Sequence, residues 1–137
     1  MKKMKSTLVI GLLLIIASIL GGCTISKNHI LKGFYQSDFV DGYMVQISIQ
    51  PQEHSFVEYI DNREVDKGTY EKIEDNTYRL KSDKQDLNIT LDGDNSFEVV
   101  VKKINDGKPI LMKNISDVPS YFKTKFDDID QYKKLLD

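Results

Sequence analysis

Apolar and polar residues alternate along Val45-Gln46-Ile47-Ser48-Ile49-Gln50, which predicts a strand with Val45, Ile47 and Ile49 on one buried face. Leu87-Asn88-Ile89-Thr90-Leu91 follows the same rule. Six further stretches read as strands: Phe34 to Phe39, Phe56 to Asp61, Glu64 to Ile73, Thr77 to Lys81, Phe97 to Ile104 and Pro109 to Ile115. Between them stand Asp41-Gly42, Asp61-Asn62, Asp75-Asn76, Asp92-Gly93 and Asp106-Gly107, pairs that tolerate left-handed backbone and suit tight hairpins. The expectation is a mainly β fold, an antiparallel meander of about eight short strands closing into a small barrel or rolled sandwich, because closure removes exposed edges.

Two departures from the period of two frame this body. Near the C-terminus, Asp127 to Leu136 places Ile129, Tyr132 and Leu136 on one helical face, with acids in the first turn and lysines in the last. A C-terminal helix packed on the sheet is expected, with Val118 to Phe122 as a short turn or helix before it and Asp117 near its cap. At the N-terminus, a start with three lysines leads into an apolar run from Leu8 to Leu20, followed by Gly21 and Gly22. A helix over 8–22 would span about 22 Å, short of the roughly 30 Å slab a permanent spanning helix must cross, so a cleaved export signal fits better.

The segment Leu20-Gly21-Gly22-Cys23 resembles the lipobox of bacterial lipoproteins, and Cys23 is the single cysteine of the chain. That resemblance implies a signal peptide over 1–22 cut between Gly22 and Cys23, with diacylglycerol and a further fatty acid such as palmitate on the new N-terminal cysteine. A thiol is the most nucleophilic side chain available for such a transfer, and two acyl signals hold a protein stably where one holds it marginally. Residues 23–32 then form an acylated tether and 33–137 the globular domain. The seven residues from Thr24 to Ile30 reach about 25 Å at most, so the folded part stays beside the bilayer. Localisation on the extracytoplasmic face of the cell membrane follows.

A second resemblance is local. Gly33-Phe34-Tyr35 resembles the Gly-x-Trp opening of calycin, or lipocalin-like, barrels, with tyrosine in the tryptophan position; it implies a barrel able to carry a small apolar ligand. Lys32-Gly33-Phe34-Tyr35 is echoed by Lys67-Gly68-Thr69-Tyr70. Glycine there permits close packing where a strand joins the sheet, and tyrosine covers the gap.

Charge and chemistry narrow the function further. The chain has 19 basic and 21 acidic side chains, and setting aside Lys2, Lys3 and Lys5 widens the acidic excess. That balance disfavours nucleic acid and electrostatic adsorption to anionic lipid. The histidines are His29 and His54, with only Ser55 beside the latter, so no catalytic arrangement stands out and an enzyme is not expected. Asp92-Gly93-Asp94-Asn95-Ser96 lacks the glycine and the terminal acid of a calcium loop, with Phe97 and Lys103 in those places, and reads as a hairpin; no metal or other cofactor is expected. In the strand from Phe56, Glu58 shares a face with Phe56 and Ile60, while Val57 and Tyr59 take the other. Two partly apolar faces mark either a contact surface, with Tyr43, Val57 and Tyr59 as candidate partner contacts, or a strand covered by the terminal helix. The expected function is a monomeric, membrane-anchored protein- or peptide-binding module, with an exclusion, immunity or accessory role. The alternative is a carrier of a small hydrophobic ligand.

Overall fold

The computed structural model describes residues 29–137. The expected signal, Gly22 and Cys23 lie outside the described residues. Eight antiparallel strands form one sheet: β1 (Gly33–Gln36), β2 (Val45–Gln50), β3 (Ser55–Ile60), β4 (Arg63–Glu74), β5 (Thr77–Lys81), β6 (Asp86–Thr90), β7 (Phe97–Val99) and β8 (Ile110–Ser116). The order is β6-β5-β4-β3-β2-β1-β8-β7, so β1 pairs with both β2 and β8 and the sheet curls until β6 approaches β7. The result is a nearly closed barrel with a seam between those two strands.

The inward face is the alternation of the sequence made solid. Val45, Ile47 and Ile49 of β2 pack with Phe56 and Ile60 of β3, Leu80 of β5, Ile89 of β6, Phe97 of β7 and Met112 of β8. Two turns have paired left-handed residues, Asp41-Gly42 and Asp61-Asn62, as two-residue hairpins require. At 92–96 the left-handed residue is Asn95, and the reversal is closed by the Asp92 N–H donating to the Ser96 carbonyl at 2.8 Å.

The paired Lys-Gly-x-Tyr motifs have a common physical basis. A Cβ on Gly33 would overlap the Ser116 carbonyl, and one on Gly68 would overlap the Lys81 carbonyl. Each glycine lets two stretches of backbone approach. Tyr35 and Tyr70 then fill the interior beside them.

Three elements differ from the sequence reading. β7 stops at Val99; the chain from Val101 to Ile104 folds over the barrel mouth, where the Lys103 N–H donates to the Leu135 carbonyl at 3.1 Å and Ile104 is fully buried. The C-terminal helix α1 is short (Ile129–Lys133) and continues as a 3-10 turn, Lys134–Leu136, that buries Leu136. No helix forms over Val118–Phe122. That stretch begins an extended strap, running to Asp128 along the outer face of the sheet.

The meander divides its turns between two ends. One end gathers the β2–β3, β4–β5 and β6–β7 connections together with the incoming chain at His29. Here Leu31 is fully buried and its N–H donates to the Tyr78 hydroxyl at 3.3 Å, while the His29 N–H donates to Asn76 Oδ1 at 3.3 Å. Residues 29–32, read from sequence as tether, thus belong to the packed body. The other end gathers the remaining turns, α1 and Leu136.

Candidate functional site

The three candidate contact residues do not share one free surface. Tyr59 points outward from β3 but is fully covered by the strap, its ring 4.9 Å from that of Phe122 in an edge-on arrangement. Phe122 also meets Phe34, at 6.0 Å. Val57 is half-buried on the same face, and Tyr43 lies half-buried at the mouth, 5.9 Å from Tyr132 of α1. The sequence left open a contact surface or a strand covered by the terminal helix; in the structure Tyr59 is covered, while Val57 and Tyr43 stay half-buried. The cover is chiefly the strap rather than the helix.

Arg63 holds strap and helix in place. Its guanidinium makes a two-pronged pair with Asp128, Nε to Oδ1 at 3.0 Å and Nη2 to Oδ2 at 2.9 Å, and Nη1 donates to the Asp61 carbonyl at 2.8 Å. The Phe126 and Tyr132 rings lie 4.0 and 4.5 Å from its central carbon. The paired guanidinium holds the Asp128 carboxyl below the usual carboxylate range. This is a clasp made of planar recognition on three sides, a geometry a lysine ammonium cannot reproduce.

Inside the barrel, Glu58 is the one polar side chain on the inward face of β3. It is fully buried, and its Oε2 accepts from Gln85 Nε2 at 2.6 Å. The same amide nitrogen donates to Asp66 Oδ2 at 2.7 Å, and Ser82 Oγ donates to that oxygen at 2.6 Å. A bulge in the β3–β4 pairing explains the convergence, since Val65 is the extra residue and Asp66 pairs directly with Glu58. Loss of hydration pushes the Glu58 carboxyl up to about 7, the Gln85 amide opposes that rise, and the Asp66 charge adds to it. The Glu58 carboxyl therefore exchanges its proton near neutrality, in a place that solvent scarcely reaches.

The sequence placed Glu58 on one face with Phe56 and Ile60 and gave no sign of its partners. Ser82 and Gln85 sit in a turn whose polar residues give no periodic signal, and the bulge at Val65 is silent in the alternation.

His29 and His54 are not part of this cluster. The His54 ring lies 5.8 Å from Tyr70, in the β2–β3 turn where residue 54 is left-handed. Asp94 is held by its own hairpin, with Ser96 Oγ donating to Oδ1 at 2.5 Å, which keeps its carboxyl low. Among the described residues no group of three or more His, Cys, Asp or Glu side chains is placed to hold a metal ion, and no helix is long and apolar enough to cross a membrane.

Clefts open to solvent lie on the barrel surface. One of about 410 Å³ follows the seam between β6 and β7, lined by Asn88, Thr90, Asp92, Glu98 and Val100. Another of about 320 Å³ lies outside the carboxylate pair, between Asp66, Lys84 and Lys133. The interior itself is occupied by Tyr35, Phe56, Phe97, Ile47, Leu80 and Met112, each essentially inaccessible. Set against known proteins, the chain matches no family model, no curated protein and no solved structure.

Proposed function

We propose that this protein is an exported lipoprotein whose signal, 1–22, is removed and whose Cys23 carries diacylglycerol. The barrel then acts as a protein- or peptide-binding module on the extracytoplasmic face of the membrane. The filled interior carries the preference for a module over a carrier. Bulky side chains occupy the space that an apolar cargo would need, as is usual for an eight-stranded barrel. Recognition in this reading belongs to the outer surface, and no catalytic step is assigned to it.

The anchor is tested by producing the full chain in a bacterial host and weighing its N-terminal peptide. Acyl mass on Cys23 is expected, and the Cys23→Ala variant should keep its signal or leave the membrane fraction. A thiol without acyl mass, or a matured alanine variant still bound to membranes, refutes the lipoprotein reading. Module and carrier separate on the purified protein: a stoichiometric apolar molecule released by solvent extraction supports the carrier, and its absence together with a specific cross-linked protein supports the module.

A further inference from the structure

Large apolar side chains are exposed at both ends of the barrel, but the end at which the chain arrives is the one the N-terminal line can reach. Four of them, Ile30 (61% exposed), Ile73 (49%), Ile115 (57%) and Val118 (68%), gather where the incoming chain joins the body. Hydrogen bonds and packing fix that proximity. The His29 N–H on Asn76 Oδ1 brings Ile30 to the β4–β5 turn, beside Ile73. Asn114 Nδ2 donates to the Lys32 carbonyl at 3.3 Å, and Gly33 packs against Ser116 and Asp117, which brings Ile115 and Val118 to the same end. At the far end Phe39 (71%), Leu111 (43%) and Val100 (39%) are exposed.

Cys23 precedes His29 by six residues, a reach of about 20 Å even when fully extended. A body moored on so short a line meets the bilayer with the end from which the line emerges. We propose that this end rests on the lipid surface, with Ile30, Ile73, Ile115 and Val118 in the boundary between headgroups and acyl chains. The inference rests on the proposed anchoring through Cys23. Glu53, Asp75, Asp92, Asp94 and Asp117 lie at or beside the same end and outnumber Lys32 and Lys72, the latter 3.8 Å from Asp75, so the contact is apolar rather than electrostatic. Tethering supplies a high local concentration, which lets a patch too weak to hold the free protein stay seated.

The chain contains no tryptophan, so a single introduced indole reports its own surroundings. Full-length Ile115→Trp, Val118→Trp and Phe39→Trp proteins, taken from membranes, are reconstituted into vesicles of phosphatidylcholine with or without brominated acyl chains. Tryptophan at 115 and 118 should shift to the blue and lose about half its emission to bromine, because an interfacial apolar face sits about 5–10 Å into the headgroup and acyl boundary. Tryptophan at 39 should do neither. Adding phosphatidylglycerol at low salt should weaken the quenching at 115, as the neighbouring acids predict.

Equal, negligible quenching at all three positions in vesicle-bound protein overturns the inference. So does a tryptophan at 115 that is shielded from acrylamide in native membranes yet unquenched in vesicles, which gives the face to a protein partner. Acyl mass on Cys23, measured on the same samples, tells failure of this orientation from failure of the anchor. Protein that does not associate with vesicles at all refutes both.

Discussion

The two ends of the barrel are closed by opposite means. At the end where the chain arrives, the seal is a single leucine: Leu31 enters the core, and neutral hydrogen bonds to Tyr78 and Asn76 position it. At the other end the seal is the C-terminus, with Leu136 and Ile104 as plugs under a short helix that is held by the Arg63–Asp128 clasp. Toward that side the barrel also holds its buried acid, Glu58. The contrast separates two jobs. One end is fixed by packing and close backbone approach, and the other by charge, so pH and charge substitutions should act on only one of them.

The largest effect belongs to the packed end. Gly33 has φ of 86° and no room for a Cβ beside Ser116. Gly33→Ala combines a left-handed penalty with overlap against backbone and should destabilise by about 3 kcal/mol or more. Urea denaturation read by circular dichroism checks this; a midpoint within error of the wild type breaks the close-approach account. Leu31→Ala comes next, at about 2–4 kcal/mol for a fully buried leucine. Leu136→Ala, at the chain end and partly relieved by fraying, should remove about half as much. Equal effects at the two seals would remove the asymmetry on which the comparison rests.

Glu58 sharpens it with pH. Its carboxyl titrates near 7 in the folded protein and near its usual value when unfolded. Below the unfolded value both states hold the proton and the acid is harmless. Between the two values the unfolded chain releases its proton while the folded one retains it, so stability falls as pH rises through that window. Above about 7 the full penalty applies, about 3 kcal/mol as an upper bound, at about 1.4 kcal/mol for each pH unit between the two values. Glu58→Gln keeps the shape and can still accept from Gln85. It should match the wild type at pH 4 and exceed it by about 1–3 kcal/mol at pH 8. A variant that is less stable at both pH values would show that the carboxylate is required rather than tolerated.

The legible part of this molecule was the part governed by period. Val45, Ile47 and Ile49 announce their own burial, and each Asp/Asn-Gly or Asp-Asn pair marks a reversal. Less legible were features set by contacts distant in sequence. The strap from Val118 to Asp128 has no regular period, since its conformation comes from docking Phe122 between Phe34 and Tyr59. The chain that follows β7 is likewise tied to a distant residue, Leu135, whose carbonyl takes the Lys103 N–H. The Glu58–Asp66 pair needed a bulge that alternation conceals. Cys23, the residue on which the proposed anchoring rests, lies outside the described residues, so its support is its sequence context.

The smallest effect on global stability, and the most selective, belongs to Arg63. Apart from the hydrogen bond to the Asp61 carbonyl in its own turn, its side chain joins the strap and α1 to the barrel: Asp128 through two hydrogen bonds, and Phe126 and Tyr132 through their rings. Arg63→Lys keeps the charge and loses both the fork and the stacked plane. The barrel core does not depend on these contacts, so its unfolding midpoint should move little, while the strap opens more often. Limited trypsin digestion reads that opening at Lys123 and Lys125, which lie within the strap; cleavage there should become faster in Arg63→Lys than in the wild type. Released strap would uncover Phe34 and Tyr59, so binding of a hydrophobic dye should rise in parallel. If cleavage at Lys123 and Lys125 is unchanged while the whole barrel loses stability, the clasp is part of the core, and the charged end is held no differently from the packed one.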